Sequence, residues 1–561
     1  MAKKKPTKQY EKWRMLRTAR RVSQGFFLLA FLGLILATAA KSGATVDVAS
    51  QDRLALPVEF FLNIDPFAGA MVLLSTRTIP GAMIWGLIVL ISGFIVGRGF
   101  CSWVCPMGTL NHLAGELRSH LKGKRRLHAN ATRPYQRIKY IILIVSLGAA
   151  LLGSTIGGLL DPICLATRGI ALMLIPMVEW IFLGVLNLAW GTNSGKVQIV
   201  AELLHDLVGK ALLHSGGTIV EGGFIVAMLF VGVLLANRFI PRFWCRGICP
   251  LGALLGLAGR FGLLSLKKNE TTCTDCNKCQ LSCQGAASPK PSEAWQRAEC
   301  DLCMNCVAEC PEKGTLAFGL SGYATNERNA PDINRRHLIA GAAAGAALVP
   351  TIRTGSLTSP HKGRPNPECI RPPGAMTEKA FLERCIRCGQ CIKICPNNAL
   401  HPSLTEAGLE GVWTPVLVPR IGYCESTCTL CTNVCPTGAI RHVTEKQKTT
   451  PGPKQVKLGT AVISRGRCLP WGTKTPCIVC EEFCPVSPKA IVLEEETAEV
   501  DGESRRLMKP FVRPDRCVGC GACEYACPVH DRAAIRVSSV GESRSTTNAL
   551  LQQSADKKNK S

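Results

Sequence analysis

Twenty-four cysteines fall into six groups of four whose spacing suits metal binding. Four groups share one form: Cys273-x2-Cys276-x2-Cys279-x3-Cys283, Cys300-x2-Cys303-x2-Cys306-x3-Cys310, Cys385-x2-Cys388-x2-Cys391-x3-Cys395 and Cys517-x2-Cys520-x2-Cys523-x3-Cys527. Two depart from it: Cys424-x3-Cys428-x2-Cys431-x3-Cys435 and Cys468-x8-Cys477-x2-Cys480-x3-Cys484. Proline follows the fourth cysteine at Pro311, Pro396, Pro436 and Pro485. Three thiolates on a tight loop bind three irons of a 4Fe–4S cubane, and a fourth, before proline, ligates the neighbouring cluster. Zinc also takes paired Cys-x2-Cys, but zinc ribbons lack the third cysteine at x2 and the Cys-Pro ending. Six 4Fe–4S clusters are therefore expected. In the first pair the fourth-ligand rule joins Cys310 to Cys273, Cys276 and Cys279, and Cys283 to Cys300, Cys303 and Cys306. Pairing among the last four groups stays open.

The elements that must position these loops differ along the chain. Its 561 residues are 47% hydrophobic and 19% charged, with 30 cysteines and a formal charge of +26. This composition excludes a disordered protein, and the length excludes a small disulfide scaffold. Long apolar runs come before about residue 240; polar, cysteine-dense sequence follows.

Apolar stretches at 22–40, 81–97, 138–160 and 220–237 are near bilayer-spanning length. Residues 1–21 hold nine Lys/Arg against one acid, 98–139 nine against one, and 238–268 six against none. By contrast, 41–80 holds three bases and four acids, and 158–221 three and five. Positive-inside counting puts the first three segments in the cytoplasm and the other two outside. Parity then requires four spans. The stretch 170–190, interrupted by Pro176 and Glu179, is expected as a re-entrant or surface element on the outer side, with 197–213 lying in the interface beside it. A basic N-terminus beside a span argues against nucleic-acid binding. No cleavable signal is expected, since the first span leads into a needed outer loop.

Two more pairs, Cys101-x3-Cys105-Pro106 and Cys245-x3-Cys249-Pro250, fall on the cytoplasmic face. Together they could bind a seventh metal centre or relay redox chemistry; the plain alternative is buried cysteines packing helix starts. Cys164 and Cys369 read as packing or loop residues. No Cys-x-x-Cys-His, P-loop or dinucleotide fingerprint occurs, so haem and nucleotides are not indicated.

The run Cys101–Leu117, Asp161-Pro162 and Cys245–Leu254, followed by the first two cysteine groups, resembles the membrane-bound NapH-type ferredoxin subunit that serves periplasmic nitrate reductase. Residues 370–400 and the x8 gap resemble the NapG/MauM-type four-cluster polyferredoxin. The chain is similar to a fusion of the two. The resemblance implies quinol oxidation, electron delivery to a periplasmic oxidoreductase such as a nitrate reductase or amine dehydrogenase, and export of the polyferredoxin by the twin-arginine route. A trace of that signal stands inside the chain: Arg335-Arg336 before the Ala/Gly-rich run 339–349. As a fifth span this run would put 353–561 in the periplasm; as a linker it would leave everything after 238 in the cytoplasm. Export is the favoured reading, because clusters built in the cytoplasm need a route for folded protein.

The expected architecture is an α-helical membrane bundle of four spans, with a candidate fifth, plus α+β ferredoxin-like modules. Its parts are the membrane domain 1–268, a two-cluster module 269–320, a linker 321–366, the four-cluster polyferredoxin 367–540 and a disordered tail 541–561. The clusters themselves hold the modules, so apo protein is expected to unfold beyond residue 269. As a bacterial inner-membrane wire, the chain would take electrons from the quinol pool. A quinol site needs an apolar pocket and a proton acceptor, and ionisable residues near membrane depth are candidates: Asp65, Asp161 and Glu179, with His205 behind them. The duller reading of the two Asp-Pro pairs is a turn or a helix cap. Competing functions are outward electron flow from cytoplasmic ferredoxin, a maturation factor using the Cys-x3-Cys pairs, and a redox sensor.

Overall fold

The computed structural model describes residues 8–40, 58–117, 123–212, 220–320, 335–357, 366–500 and 503–548, apart from positions 193, 213–219, 221, 313, 453, 546 and 547. The chain divides into two compact units. One is Met1–Ile35, Glu59–Gly169 and Phe224–Val349; the other is Leu36–Val58, Ile170–Gly223 and Pro350–Ser561.

The first unit is built from one helical motif used twice. In the first copy, Asp65-Pro66 starts helix Pro66–Thr76, which is followed by Trp85–Val96, the short Gly99–Trp103, and Pro106–Leu117 beginning after Cys105. In the second copy, Asp161-Pro162 starts Pro162–Gly169, followed by Gly223–Ala236, Phe243–Gly247 and Pro250–Gly259 beginning after Cys249. Aspartate at the cap and proline at the first position suit a helix start. Asp65 Oδ1 accepts from the amides of Phe67 (2.8 Å) and Ala68 (3.3 Å). Asp161 Oδ2 accepts from that of Cys164 (2.7 Å). The two copies touch through glycines: a Cβ on Gly93 would lie 3.2 Å from Ala258 Cβ, and one on Gly259 would lie 2.8 Å from Gly97 Cα. Helix Ile138–Leu151 receives the helix Arg335–Leu357 on a small-residue face. A Cβ on Gly345 would lie 2.4 Å from the Val145 carbonyl oxygen, and one on Gly341 3.1 Å from Ile144. Gly-x3-Gly faces of this kind let backbones approach in membrane bundles.

Large apolar side chains face outward on several of these helices, among them Trp85, Ile88, Ile91 and Phe94, and Phe224, Met228 and Leu235. So much exposed apolar surface marks an interaction with membrane or protein. Among the described residues two helices are long and apolar enough to cross a bilayer, Glu11–Thr38 and Pro162–Trp190; Gly81–Val96 and Gly223–Ala236 are apolar but shorter. Helix Ile138–Leu151 stops short of the expected 160, because the chain turns at Gly153 (φ 81°) and again at Ile156–Leu159. Its 14 residues reach about 21 Å at 1.5 Å each. The expected interruption at 170–190 is also absent. A π-helical turn, Ile170–Leu174, comes just before Pro176 and absorbs the missing amide, so the helix runs on to Trp190.

In the second unit, helix Ile175–Trp190 folds back on Gly195–Leu212, with the Trp190 and His205 rings 5.7 Å apart. The remainder is cysteine loops between short helices and two-stranded antiparallel sheets. Leu400–Pro402 pairs with Pro415–Leu417, Thr460–Ile463 with Ile535–Ser538, and Ile491–Val500 with Glu503–Val512. The first unit holds a matching ribbon, Leu264–Lys268 with Leu316–Leu320, closing its own cysteine module. In the polar stretch from 541, expected as a disordered tail, residues 541–545 and Asn548 pack onto the module. Arg544 binds Glu378 (2.8 Å) and Glu542 (2.6 Å) there, and Asn548 bonds the Ser539 carbonyl (2.9 Å). Residues 549–561 lie outside the described part, as do 321–334 and 358–365 of the linker.

Candidate iron–sulfur centres

In the four regular groups the residues on either side of the second cysteine are left-handed: Asp275 and Asn277, Leu302 and Met304, Arg387 and Gly389, Gly519 and Gly521. A short helix then carries the third cysteine, as in Lys278–Ser282, Asn305–Glu309, Gln390–Lys393 and Ala522–Ala526. These turns wrap backbone around a common centre. The two irregular groups do without them, using wider x3 and x8 gaps. In one, Lys448 Nζ fills the space, bonding Cys424 Sγ (3.4 Å) and the carbonyls of Glu425 and Cys428 (each 2.6 Å). Amides also reach the fourth sulfurs: Ala287 to Cys283 (3.4 Å), Ala399 to Cys395 (3.3 Å) and Ile440 to Cys435 (3.4 Å). Such bonds tune a cluster.

The geometry resolves the pairing that spacing left open. One cavity is lined by Cys273, Cys276, Cys279 and Cys310, another by Cys395, Cys424, Cys428 and Cys431, and a third by Cys468, Cys477, Cys480 and Cys527. In the complementary sets, Cys283 faces Cys300, Cys303 and Cys306, Cys435 faces Cys385, Cys388 and Cys391, and Cys484 faces Cys517, Cys520 and Cys523. Each pair of groups thus exchanges its fourth cysteine. Among the described residues no three His, Cys, Asp or Glu side chains are close enough to hold a single ion. Cavities each lined by four cysteines suit a polynuclear cluster. In the second unit the two pairs also abut. The Cys424 amide bonds the Cys520 carbonyl (2.8 Å), and the Tyr423 and Tyr525 rings stand 5.4 Å apart. The order along the row is the Cys385 set, the Cys424 set, the Cys517 set and the Cys468 set.

Two stretches, 78–126 and 222–269, match a family described as a 4Fe-4S binding domain; 381–401 matches another of that description, and 475–530 a 4Fe-4S dicluster domain. The methylamine utilization ferredoxin-type protein MauM of Methylorubrum extorquens is 36% identical over 201 residues, 35% of this chain and 80% of that protein. The chain belongs to the NapG/MauM ferredoxin-type family. The ferredoxin-type protein NapG of Escherichia coli is 37% identical over 171 residues (30% of this chain, 69% of NapG). The putative electron transport protein YccM of the same organism is 27% identical over 271 residues (47% and 64%). No solved structure matches. The polyferredoxin is thus an iron–sulfur electron-transfer protein.

The first unit of this polyferredoxin adds a site of its own. Cys101, Cys105, Cys245 and Cys249 are all buried and act on one another electrostatically. The two halves of the repeat supply one pair each, and Gly252 N donates to Cys249 Sγ (3.2 Å). Burial, and then the neighbouring cysteines, push the Cys105 and Cys249 thiols well up. Burial raises the Cys245 thiol as well, against the pull of Arg242 and Arg98. Arginines three residues ahead of each pair hold the neighbouring module. Arg98 bonds Glu299 (3.1 Å) and the Cys245 carbonyl (2.9 Å), and Arg242 bonds Asp301 (2.5 Å). Lys139 (2.5 Å) and Tyr140 (2.9 Å) complete the shell around Glu299. Glu299 and Asp301 flank Cys300, and Trp103 Nε1, between Cys101 and Cys105, donates to the Leu302 carbonyl (3.3 Å). The Cys300 set is thereby fixed against the four-cysteine centre.

Of the proposed proton acceptors, the structure brings Asp65 and Asp161 together within the first unit. Both aspartates are fully buried in the first unit, with their carboxyls within hydrogen-bonding reach. Glu179 belongs to the second unit, where it acts on Lys393, and His205 packs on Trp190. Cys164 and Cys369 are buried, as expected for packing residues. Sequence reasoning missed the repeat, the arginine clamp and Lys448. The first had a signal, the doubled Cys-x3-Cys-Pro-x-Gly-x-Leu at Cys101–Leu110 and Cys245–Leu254.

Proposed function

We propose that this polyferredoxin is a membrane-bound wire that oxidises quinol and passes single electrons through six 4Fe–4S clusters, with a seventh at Cys101, Cys105, Cys245 and Cys249, to a periplasmic oxidoreductase. The row of four exchanged-ligand sets in the second unit carries this reading, since only long-distance transfer needs such a row. The seventh centre is supported by the match of 78–126 and 222–269, which contain those four cysteines, to a 4Fe-4S binding family.

Membrane attachment draws on the exposed apolar helices and on the basic loops. The sidedness draws on the second unit: Ile170–Gly223, an outer segment by charge, shares a compact unit with the four-cluster part, and Leu172 and Val220 belong to the same core as Cys391 and Cys523. The helix Arg335–Leu357 then serves as the fifth crossing after the twin arginine, and its Gly-x3-Gly face on Ile138–Leu151 suits that role. MauM and NapG by name belong to methylamine use and to ferredoxin-type transfer, so an amine dehydrogenase or a nitrate reductase system is the partner class. Bound clusters would supply the one-electron chemistry; the protein aims amides and Lys448 at the sulfurs and buries half of the ligand cysteines.

Anaerobic protein in native membranes, given a reduced menaquinol analogue and followed by EPR with an iron count, tests the reading. Cluster reduction with about 24 irons per chain, or about 28 with the seventh centre, is expected. A full iron count without reduction by quinol removes the quinol step and turns attention to outward flow from cytoplasmic ferredoxin.

A further inference from the structure

Resting on that quinol reading, we propose that Asp65 and Asp161 form one carboxyl pair that shares a single proton and receives the hydroxyl protons of the quinol. The two residues hold equivalent places at the starts of the two repeats and are 0% exposed. Each spends one oxygen on its own helix cap: Asp65 Oδ1 on Phe67 and Ala68, Asp161 Oδ2 on Cys164. The remaining oxygens, Asp65 Oδ2 and Asp161 Oδ1, are buried without any hydrogen-bond donor, although the two carboxyls lie within hydrogen-bonding reach of each other. Orphaned buried acceptors are costly. Two carboxyls within reach of each other, with no other donor, are satisfied together only by a proton between them. Two buried carboxylates cannot both ionise at such range, and pairs of this kind hold one proton in common. The groups acting most strongly on Asp65 are Asp161 and the two amides of its own first turn, none of them a cation. Asn63 Oδ1 and Ser154 Oγ, also buried, are further polar atoms without partners in this unit.

A structural cap would need one oxygen only and would leave the other to solvent or a donor. Here both spare oxygens are withheld from water. The position also suits quinol. Gly86, whose Cβ would lie 3.0 Å from the Asp65 carbonyl oxygen, begins the helix that ends at Val96, just before Arg98 and Cys101. The helix Trp85–Val96 thus starts beside the Asp65 backbone and ends three residues before the helix that carries Cys101, a rise of about 17 Å at 1.5 Å per residue. The singly protonated pair accepts one quinol proton and becomes neutral. It passes that proton to the aqueous phase, then takes the second. The two electrons leave one at a time to iron–sulfur centres of the chain, and quinone remains.

The test uses the full chain in lipid nanodiscs, with Asp65→Asn and Asp161→Asn variants, read by infrared difference spectroscopy and by cluster reduction. A protonated-carboxyl C=O band, shifted in D2O, is expected in the wild type and is lost in either variant. Reduction of clusters by a menaquinol analogue should fall about a hundredfold in each, while reduction by dithionite and the iron content stay unchanged. A wild type without the band overturns the shared proton, and wild-type rates in both variants overturn the role toward quinol. If the wild type itself takes no electrons from quinol, the band and its loss still uphold the shared proton while the functional reading fails. Should the asparagine variants lose iron, Asp65→Glu and Asp161→Glu replace them. These keep the acid, and a displaced band is expected; an unmoved band would assign it to other groups.

Discussion

Lys448 places a positive charge on a single cluster ligand. Burial alone would lower its pKa, but Cys424, Cys428 and Cys431 outweigh burial and keep it charged. A cation hydrogen-bonded to one sulfur stabilises the reduced, more negative cluster. Replacing Lys448 with Met should therefore lower the midpoint of one cluster in an EPR-monitored redox titration and leave the others in place; an unchanged set of midpoints would mean the lysine serves packing alone. Glu378 has a different task. Burial would raise its pKa, yet Arg371 and Arg544 hold it down at about 2. That lies below its unfolded value near 4.5, so its contribution is complete above that pH and is lost as pH falls toward 2. Acid unfolding of Glu378→Gln should diverge from wild type above about pH 4.5 and converge with it near pH 2, as followed by loss of cluster absorbance.

At the level of elements, the repeat explains why the first unit needs its buried ion pairs. Arg98, Lys139 and Tyr140 all converge on Glu299, and removing one partner of a buried pair costs about 3–5 kcal/mol. Glu299→Gln should thus destabilise the first two-cluster module by that order, measured as iron loss on mild heating, with the four sets of the second unit retained. Serine at both Cys101 and Cys245 should remove about four irons if these cysteines hold a cluster, whereas a thiol relay would keep the iron and lose only partner activity. Cysteine spacing made the six groups and the first pairing legible, because ligand chemistry is local. The Cys424 and Cys468 groups hid their partners, since x3 and x8 gaps break the repeat from which a partner is read. The Arg98–Glu299 and Asp65–Asp161 contacts join residues far apart in sequence, and no periodicity records such pairs. The helix end at Leu151 and the unbroken helix through Pro176 escaped for a simpler reason: an apolar run tells where burial in lipid is cheap, not where the chain turns or runs on.

For the whole molecule, the grouping of Ile170–Gly223 with the four-cluster part makes a prediction about sides. In spheroplasts, protease added outside should clip the chain beyond residue 366 while sparing the module 269–320, and twin-arginine export mutants should abolish that clipping. Protection of both parts would put the four sets in the cytoplasm. The exchange of fourth cysteines has a consequence for biogenesis. Cys310 closes the set begun at Cys273, Cys435 the set begun at Cys385, and Cys527 the set begun at Cys468. The last set therefore waits on Cys527, 47 residues after Cys480, and cannot close before that far segment has folded back. Iron lost from one member of a pair exposes a ligand of the other, so damage as well as assembly proceeds two clusters at a time.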